Sequence, residues 1–299
     1  MSKIYIILPV HNRLETTRCF IECLISQTYQ NYHLILVDDG STDNTEEMVR
    51  RQIKLVTVLN GNGNWWWAGS LQQGINWLKR ASINSSDIVL MINDDVTFDR
   101  FFLEKAVSIL KNKEGSILQA ISFGKETGRL VDAGVKADLK NLKFKQTLVP
   151  EEINCLTTRS LFMRFSDLEK IGDFYPRLLP HYLSDFEFTI RAYRKGLNLL
   201  VHPELRTIVN ENTTGFLQSG FEKLKNISSS SFIKRYFSKK SKSNPIYFTF
   251  FVLLTCSDIW IFINLIRVWK WAGTVILKQS VLPLFSRLRF YKLAKLFDN

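Results

Sequence analysis

Strand-like runs alternate with helix-like segments in the first third of the chain, and this alternation restricts the fold more than any other feature. The runs are rich in β-branched and aliphatic residues and lie at residues 3–8, 32–37, 54–59 and 87–92. Segments with apolar residues at helical spacing lie between them, at residues 13–27, from about 43 to 51, and 69–81. Strands joined by such helices form right-handed βαβ units in a mainly parallel sheet. The sequence therefore predicts an α/β fold with helices flanking the sheet.

Polar clusters follow three of the predicted strands at the point where each strand ends. They lie at residues 9–12, 38–41 and 93–95. Ligands of open α/β sheets bind beyond the carboxyl ends of the strands, and parallel strands bring those ends to one edge. We therefore expect the clusters to converge. Acidic side chains at such an edge indicate a site for an anion bridged by a metal ion.

The order and spacing of these clusters resemble glycosyltransferase family 2. The segments that carry the resemblance are residues 7–13, 26–29, 36–45 and 92–95. The resemblance covers residues 3–100 and extends more loosely to about residue 215. It implies the GT-A fold, a Rossmann-like and mainly parallel mixed sheet flanked by helices. In a catalytic domain of this kind, residues 1–100 form the nucleotide-sugar-binding half and residues 101–215 the acceptor half.

The resemblance implies a nucleotide-sugar site at the first two clusters. Asp39 occupies the position of the family's acid that hydrogen-bonds the base or the ribose. The residues expected to line the same pocket are Pro9, Val10, His11, Asn12 and Arg13. A lone Asp after a strand is more often a turn or cap residue than a ligand. Asp38 and Asp43 are assigned those structural roles.

The third cluster, Asn93, Asp94 and Asp95, stands where the family has its D-x-D motif. There the last acid binds Mg²⁺ or Mn²⁺, and the ion bridges both phosphates of the donor and acts as a Lewis acid on the leaving group. Carboxylate oxygen suits both ions. Because Asn93 replaces the first acid, Asp95 is the expected metal ligand and Asp94 is expected to face the sugar or ribose. His202 is a second candidate metal ligand, with a purely structural role as the alternative.

A helix predicted over residues 182–196 carries the candidate catalytic residue. The resemblance implies an acid–Asp pair at its start, in which the Asp is the general base of an inverting reaction. Ser184 replaces the first acid, and Asp185 aligns with the base. A carboxylate within hydrogen-bond reach of an acceptor hydroxyl can remove its proton. The alternative is that Asp185 only caps the helix, with Ser184 as N-cap. Glu187 is expected to be a supporting contact.

Three successive tryptophans at positions 65–67 form an unusual segment. They cannot all point inward from one element, so we expect at least one to be exposed or to line a cleft. Trp66 and Trp67 are candidates for stacking on a sugar face or at a membrane interface, and a packed loop is the alternative. Arg159 lies in a predicted late strand that resembles the region in which members of the family contact the donor sugar. It is a candidate phosphate contact.

Nearly all of the net charge of +12 lies in the last quarter of the chain, where residues 221–299 contain 14 basic and 3 acidic side chains. Such a segment attracts nucleic acid or an anionic membrane, and its long apolar runs favour the membrane. Pro245 opens an apolar run, residues 246–263, in which Asp258 is the one charge. This pattern is typical of helices lying in a membrane interface. Residues 216–299 are therefore predicted to form a helical membrane-associating region, with an ordinary helical subdomain as the alternative.

These features together predict an inverting glycosyltransferase at the cytoplasmic, inner face of the cell membrane. The resemblance implies a nucleotide-sugar donor, and a glycan or lipid-linked glycan acceptor in surface-polysaccharide synthesis. Rhamnosyl and UDP-hexose transfer are both open, and no nucleic acid is expected. The cysteines lack metal-type spacing and no signal-sequence pattern precedes the first strand, so we expect a reduced, non-exported catalytic part.

Two other functions fit parts of the pattern. A nucleotidyltransferase would need an early glycine-rich phosphate loop, and residues 3–13 contain no glycine. A non-catalytic, membrane-associated carbohydrate-binding protein on a degenerate GT-A fold would not need the candidate acids, which this chain has.

Overall fold

A mixed β-sheet of nine strands forms the centre of the larger of two compact units. The computed structural model describes residues 2–211 and 229–281. Within that part of the chain, the first unit comprises residues 2–138 and 142–211, and the second comprises residues 139–141 and 229–281. The domain boundary predicted at residue 215 lies outside the described residues.

The strands follow the predicted order in the first third of the chain. Their bounds are β1 Ile4–Val10, β2 Tyr32–Asp38, β3 Val56–Asn60, β4 Ile88–Ile92, β5 Val96–Thr97, β6 Ser116–Gly124, β7 Leu130–Asp132, β8 Gly134–Asp138, β9 Lys143–Thr147, β10 Ser160–Arg164 and β11 Asn198–Val209. The order in the sheet is β3-β2-β1-β4-β10-β6-β11-β5, with β7 paired to β6, while β8 and β9 form a separate hairpin. Strands β1 to β4 pair in parallel, and β10 runs antiparallel to both of its neighbours. The predicted mixed α/β sheet is confirmed.

Helices join and flank these strands. In the first unit they are α1 Leu14–Ile25, α2 Thr45–Gln52, α3 Trp66–Arg80, α4 Phe102–Lys111, α5 Phe165–Ile171 and α6 Ser184–Arg194. In the second unit they are α7 Ser229–Tyr236, α8 Pro245–Thr255 and α9 Ile259–Ile276. The helices predicted over residues 13–27, 69–81 and 182–196 are present, with ends displaced by one to three residues.

The two faces of the sheet bury separate cores, which explains the continuous apolar runs of its central strands. Alternate residues of β1 point to opposite faces. Ile4, Ile6 and Leu8 pack with α1 and α4 on one face, and Tyr5 and Ile7 pack with α3, α5 and α6 on the other. The middle residues of β1, β2 and β4, buried on both faces, are apolar. The polar clusters therefore begin where β1, β2 and β4 stop.

The second unit divides the apolar run of residues 246–263 between two helices. Cys256 is extended and ends α8, and Asp258, with φ of 52°, turns the chain before α9 begins. The side chain of Asn264 in α9 contacts residues 139–141, which belong to the same unit: its amide donates to the carbonyl of Leu139 at 2.7 Å. Within the described residues, Ile259–Gln279 is long and apolar enough to cross a membrane by length and composition.

Candidate active site

The carboxyl ends of β1, β2 and β4 lie side by side at one edge of the sheet. Pro9 pairs with Val37 and Val10 with Asp38 between the parallel strands β1 and β2. The main-chain N–H of Asp39 donates to the carbonyl of Val10 at 3.0 Å, which joins the first two polar clusters directly. The side chain of Val10 is buried in the core, so the backbone is what this residue can offer a ligand.

The antiparallel strand β10 brings Arg159 to the same edge. Ser160, the first residue of β10, lies opposite Ile92 at the end of β4. The main-chain N–H of Asn93 donates to the carbonyl of Arg159 at 2.9 Å. Arg159 therefore lies beside the third polar cluster, although the two are far apart in sequence.

His11 and Asn12 connect the turn after β1 to the turn after β2. Nδ1 of His11 lies 2.7 Å from the carbonyl oxygen of Asp39, and because a carbonyl oxygen only accepts, Nδ1 must carry the proton. The N–H of Asn12 donates to Oγ of Ser41 at 2.9 Å, and its side-chain oxygen accepts from the N–H of Thr42 at 2.7 Å. The two turns are thus held as one polar surface.

Asp38 and Asp43 have the structural roles expected from the sequence. Oδ1 of Asp38 accepts the N–H of Ser41 at 2.7 Å and closes a turn. Oδ2 of Asp43 accepts the N–H of Leu14, the first residue of α1, at 2.9 Å. These bonds satisfy polar groups at the turn and at a helix start, and the bonds to Thr45 and Leu14 keep the pKa of Asp43 below its ordinary value despite some burial.

The carboxylate of Asp39 is buried and accepts three main-chain N–H groups. Oδ1 accepts from Gly63 at 2.8 Å, and Oδ2 accepts from Trp65 at 2.8 Å and Trp66 at 3.1 Å. A Cβ atom on Gly61 would lie 2.5 Å from Oδ1, so the loop can pass the carboxylate there because the residue is glycine. Asp39 therefore fixes the loop that leads into α3. A contact with the base or ribose of a donor stays a prediction.

Asp94 and Asp95 form a buried acid pair beside the guanidinium of Arg13. Nε of Arg13 lies 3.2 Å from Oδ2 of Asp94, and Nη2 lies 3.5 Å from Oδ2 of Asp95. The Thr17 hydroxyl donates to Asp94 at 3.0 Å. Burial raises the pKa of Asp94 to about 6, with Arg13 opposing the rise and Asp95 adding to it. Arg13, expected to line the base pocket, is thus placed against the acids and offsets their charge.

A second guanidinium, that of Arg159, links Asp95 to Asp132. Nη1 of Arg159 lies 3.2 Å from Oδ1 of Asp95, and Nε donates to the carboxylate of Asp132. Burial raises the pKa of Asp132 above its ordinary value, and the charge of Arg159 opposes this. Each carboxylate oxygen of Asp95 therefore faces a different arginine.

Asp185 lies in the first turn of α6, close enough to this cluster to feel its charges. Burial raises the pKa of Asp185 to about 6. The charge of Asp132 adds to the rise, while Arg159 and the N–H of Phe186, which donates to Oδ1 at 2.9 Å, oppose it. The charges of Asp132 and Arg159 therefore both act on Asp185, which the sequence could not show.

The start of α6 differs from the predicted cap. Leu183, with φ of 69°, is the N-cap, and Ser184 is the first helical residue, with its hydroxyl donating to the carbonyl of His181 at 2.6 Å. Ser184 is therefore not the N-cap of the alternative interpretation. Glu187 is buried and pairs with Arg191 one turn later, at 2.8 and 2.9 Å. A substrate contact by Glu187 stays a prediction.

All three tryptophans before and within α3 are half-buried. Trp65 and Trp67 pack against the core on their face of the sheet, and Nε1 of Trp67 donates to the Thr158 hydroxyl at 2.9 Å. Trp66 has φ of 58°, and its ring meets that of His181 edge-on with 5.9 Å between centroids. Trp67 is thus occupied by packing, and Trp66 contacts the segment that leads into α6.

His202 is not brought to the acid pair. It pairs with Ala120 in β6, whereas Val209, seven residues further along β11, pairs with Gly124 and Val96 next to Asp95. Ala120 and Gly124 are four strand residues apart, which is about 13 Å. A metal ligand must lie within about 2.6 Å of its ion. This geometry gives no support to His202 as a ligand of the same ion as Asp95.

Asp95 has the chemistry of a divalent-ion ligand, but the chain supplies few others. Its carboxylate is buried beside that of Asp94, and both provide hard oxygen donors. Within the described residues, no group of three or more His, Cys, Asp or Glu side chains is placed to hold a metal ion. Mg²⁺ and similar ions are often held by one or two carboxylates plus phosphate and water. The residues fit an ion that binds together with a diphosphate.

Asp132 and Thr17 complete the site and were not predicted from the sequence. Asp132 ends the three-residue strand β7, and Thr17 lies one turn into α1. A strand this short has no periodic pattern, and neither residue belongs to a motif. The available signal for Asp132 was an acid between apolar residues, Val131 and Ala133.

Comparison with known proteins agrees with this fold and site. Residues 5–172 match the model for glycosyl transferase family 2. AmsB, the amylovoran biosynthesis glycosyltransferase of Erwinia amylovora, is 23% identical over 212 residues, which cover 66% of this chain and 65% of AmsB. The chain spans less than two thirds of the length of the curated relatives it matches.

Solved structures show the same fold at low sequence identity. TarS of S. aureus, residues 1–349 with UDP-GlcNAc, has a TM-score of 0.58 and 17% identity, covering 89% of this chain and 71% of that one. The mannosyltransferase PcManGT of Pyrobaculum calidifontis, with GDP-Man and Mn²⁺, has a TM-score of 0.56 and 16% identity, covering 98% and 80%. The predicted GT-A fold is confirmed. Because the family model matches more than half of its length, this chain belongs to glycosyltransferase family 2.

Proposed function

We propose that this chain is an inverting glycosyltransferase that moves a sugar from a nucleotide-sugar donor to a glycan or lipid-linked glycan acceptor in surface-polysaccharide synthesis. The observation that carries the proposal is that Arg159 pairs with Asp95 at 3.2 Å, while the helix that carries Asp185 is bonded through Thr189 to Leu156, three residues before Arg159. Asp95 and Asp185, the proposed donor-binding acid and the proposed base, therefore belong to elements that meet near Arg159. The role of AmsB in amylovoran biosynthesis supports the choice of acceptor class.

Asp95, Arg13 and Arg159 are proposed to hold the diphosphate of the donor. Asp95 would bind Mg²⁺ or Mn²⁺ together with phosphate and water oxygens, and the bound ion would offset charge on the leaving diphosphate. The Mn²⁺ in the PcManGT structure supports a divalent ion. Guanidinium groups bind phosphate through charge-assisted hydrogen bonds.

Asp185 is proposed to act as the general base. Its carboxylate takes the proton of the acceptor hydroxyl while that oxygen bonds to the anomeric carbon of the donor sugar. The bond from the anomeric carbon to the diphosphate oxygen breaks, and the nucleoside diphosphate leaves with the electron pair. One displacement of this kind inverts the anomeric configuration. A pKa of about 6 keeps Asp185 ionised at neutral pH while making it more basic than an ordinary Asp.

Replacing Asp185 with Asn tests this assignment. Loss of a general base lowers turnover by about 10²- to 10⁴-fold. We expect such a loss in the release of nucleoside diphosphate from nucleotide sugars in the presence of a bacterial lipid extract, with donor binding retained. Asp173→Asn is the matched control, because Asp173 is exposed and pairs with Lys79 at the surface. Wild-type turnover by D185N would refute the base assignment and favour another residue.

We also propose that residues 216–299 bind an anionic membrane surface on its cytoplasmic side. One face of α9 is apolar and exposed. Its side chains recur every three or four residues and are 49–69% exposed: Ile259, Phe262, Ile266 and Trp269. Its opposite face is buried within the second unit. Among the described residues of this unit, Asp258 is the one acidic side chain, whereas Lys and Arg are frequent. An apolar helix face flanked by basic residues is what an interfacial helix requires.

A further inference from the structure

The guanidinium of Arg159 is fixed on two sides by carboxylates. Nε donates to Asp132, and Nη1 lies 3.2 Å from Asp95. Among the residues that the structure describes, Nη2 makes no hydrogen bond. The side chain is 17% exposed, so little solvent is available to compensate its charge. Arg159 is therefore a half-buried cation in which Nε and Nη1 face carboxylates and Nη2 remains as a donor group.

The backbone on both sides of Asp132 is hydrogen-bonded to other parts of the first unit. It pairs with Ser122 in the register of β7 and β6. The carbonyls on either side of it accept side-chain amides, that of Val131 from Gln146 and that of Ala133 from Gln119. Because its backbone is held on both sides, the carboxylate of Asp132 can hold the flexible side chain of Arg159 in one position.

The next residues of the chain add to this rigidity. A Cβ atom on Gly134 would lie 2.5 Å from Cδ1 of Ile153 and 2.9 Å from the carbonyl oxygen of Thr147, so the chain after Asp132 passes too closely for a larger residue. Ordering an arginine side chain costs rotamer entropy, and a fixed carboxylate removes that cost from the binding step.

We propose that Asp132 is a positioning residue of the transfer site: it holds the Arg159 guanidinium against Asp95 so that Nη2 can donate to the diphosphate of the donor. The inference rests on the proposed function. It assigns Asp132 no contact with the donor, and its effect is transmitted through Arg159.

Asp132 also acts on the base through its charge. Among the described residues, the ionisable side chains that interact with Asp185 through their charge are Asp132, Arg159 and Cys155. A neighbouring negative charge makes a carboxylate more basic. Removing the charge of Asp132 should therefore move the acidic limb of the kcat–pH profile to lower pH.

Asp132→Asn separates the positioning of Arg159 from the loss of the Asp132 charge, because these two effects change the affinity for a nucleotide in opposite directions. Loss of a negative charge beside Arg159 would by itself strengthen the binding of an anion. Loss of positioning would weaken it, by about tenfold for one charge-assisted hydrogen bond. We expect D132N to bind UDP, GDP or dTDP, whichever the wild-type protein prefers, about tenfold more weakly in calorimetry with EDTA present.

Two further variants keep the test decisive. Asp132→Glu keeps the charge but displaces the guanidinium, so we expect weakened nucleotide binding with little change in the pH profile. In an Arg159→Lys background, D132N should have much less effect on binding, because the residue it positions is gone. Asp173→Asn controls for the loss of an acid elsewhere on the first unit, and circular dichroism establishes that each variant is folded.

The outcomes distinguish this inference from the proposed function. A wild-type protein that binds none of the three nucleotides, either with Mn²⁺ or with EDTA, overturns the proposed function, and the inference with it. A wild-type protein that binds one of them, together with a folded D132N that binds it equally or more tightly, overturns the inference alone. A D132N protein with a lowered melting temperature but unchanged binding and pH profile would make Asp132 purely structural.

Discussion

At the scale of single residues, the ionised carboxylate of Asp185 works against the stability of the fold. Burial raises its pKa to about 6, so the folded state holds a proton that the unfolded chain would release between about pH 4 and 6. By linkage, the contribution of this group to stability falls as the pH rises through that window and stays low above it. Active-site residues commonly lower the stability of a fold, because the environment that makes them reactive is not the one that stabilises them.

Asp185→Asn should therefore be more stable than the wild-type protein at pH 7.5, and this advantage should shrink at pH 5. Thermal unfolding at the two pH values measures both effects. The cap interpretation of Asp185 predicts no gain in stability at pH 7.5, because Asn caps a helix about as well as Asp does. A D185N protein no more stable than wild type at pH 7.5 would favour the cap.

Asp39 controls the loop before α3 through three hydrogen bonds to a charged group. Each such bond contributes about 1.5–3 kcal/mol. We expect Asp39→Ala to lower the free energy of unfolding by at least about 3 kcal/mol, measured by urea denaturation. Glu47→Gln is the control: Glu47 is an exposed acid in a surface pair with Arg51, and its loss should change stability by less than about 0.5 kcal/mol. A loss in D39A no larger than in E47Q would show that the three bonds add nothing to stability.

At the scale of elements, the packing of α3 on β1 depends on a glycine. A Cβ atom on Gly74 would lie 2.6 Å from Cγ2 of Ile7, a residue buried at the centre of the sheet. By contrast, a Cβ atom on Gly273 in α9 would meet nothing within 4 Å. Both glycines are in helices, where alanine is preferred by about 1 kcal/mol.

Gly74→Ala should therefore destabilise the protein, by about 1–3 kcal/mol for an overpacked core, whereas Gly273→Ala should be neutral or stabilising. Urea denaturation of the two variants compares them directly. The cost of G74A should be smaller in an Ile7→Ala background, because the clashing atoms are removed. Equal effects of the two alanine substitutions would contradict the close packing of α3 on β1.

The elements that could be predicted from the sequence are those with a strong pattern. Strands β1, β2 and β4 appear in the sequence as apolar runs because both of their faces are buried. The polar residues that follow them lie at the edge of the sheet where the site is. The pairing of β10 against β4 has no such signature, because an antiparallel neighbour is chosen by tertiary packing. The family resemblance therefore indicated Asp39, Asp95 and Asp185, but not the arginine bridge, which depends on that pairing. It did not indicate Asp132 either, whose position depends on the pairing of β7 with β6.

At the scale of the whole molecule, charge and apolar surface are concentrated in the second unit. The exposed face of α9 and its basic surroundings predict binding to vesicles that contain anionic lipid, weakening as salt increases. We expect sedimentation with phosphatidylglycerol vesicles and much less with phosphatidylcholine alone. Replacing Phe262 and Ile266 with Asp should abolish binding, because both are more than 60% exposed.

Leu148→Asp is the control for the vesicle experiment, because Leu148 is 53% exposed but belongs to the first unit. It should bind vesicles as the wild-type protein does. Binding that survives in the F262D/I266D protein would remove the α9 face from the proposal. Self-association lost in that variant would instead assign the face to a second copy of the chain.

The central claim is a donor site at Asp95 that binds a nucleoside diphosphate together with a divalent ion. The most direct test is protection of the purified protein against heat by UDP, GDP, dTDP and their sugars, with Mn²⁺ or with EDTA. We predict stabilisation by one nucleotide series that is strong with Mn²⁺, reduced by EDTA, and insensitive to EDTA in Asp95→Ala. No stabilisation by any of these nucleotides, or equal stabilisation of the wild-type and D95A proteins under all conditions, would contradict the account.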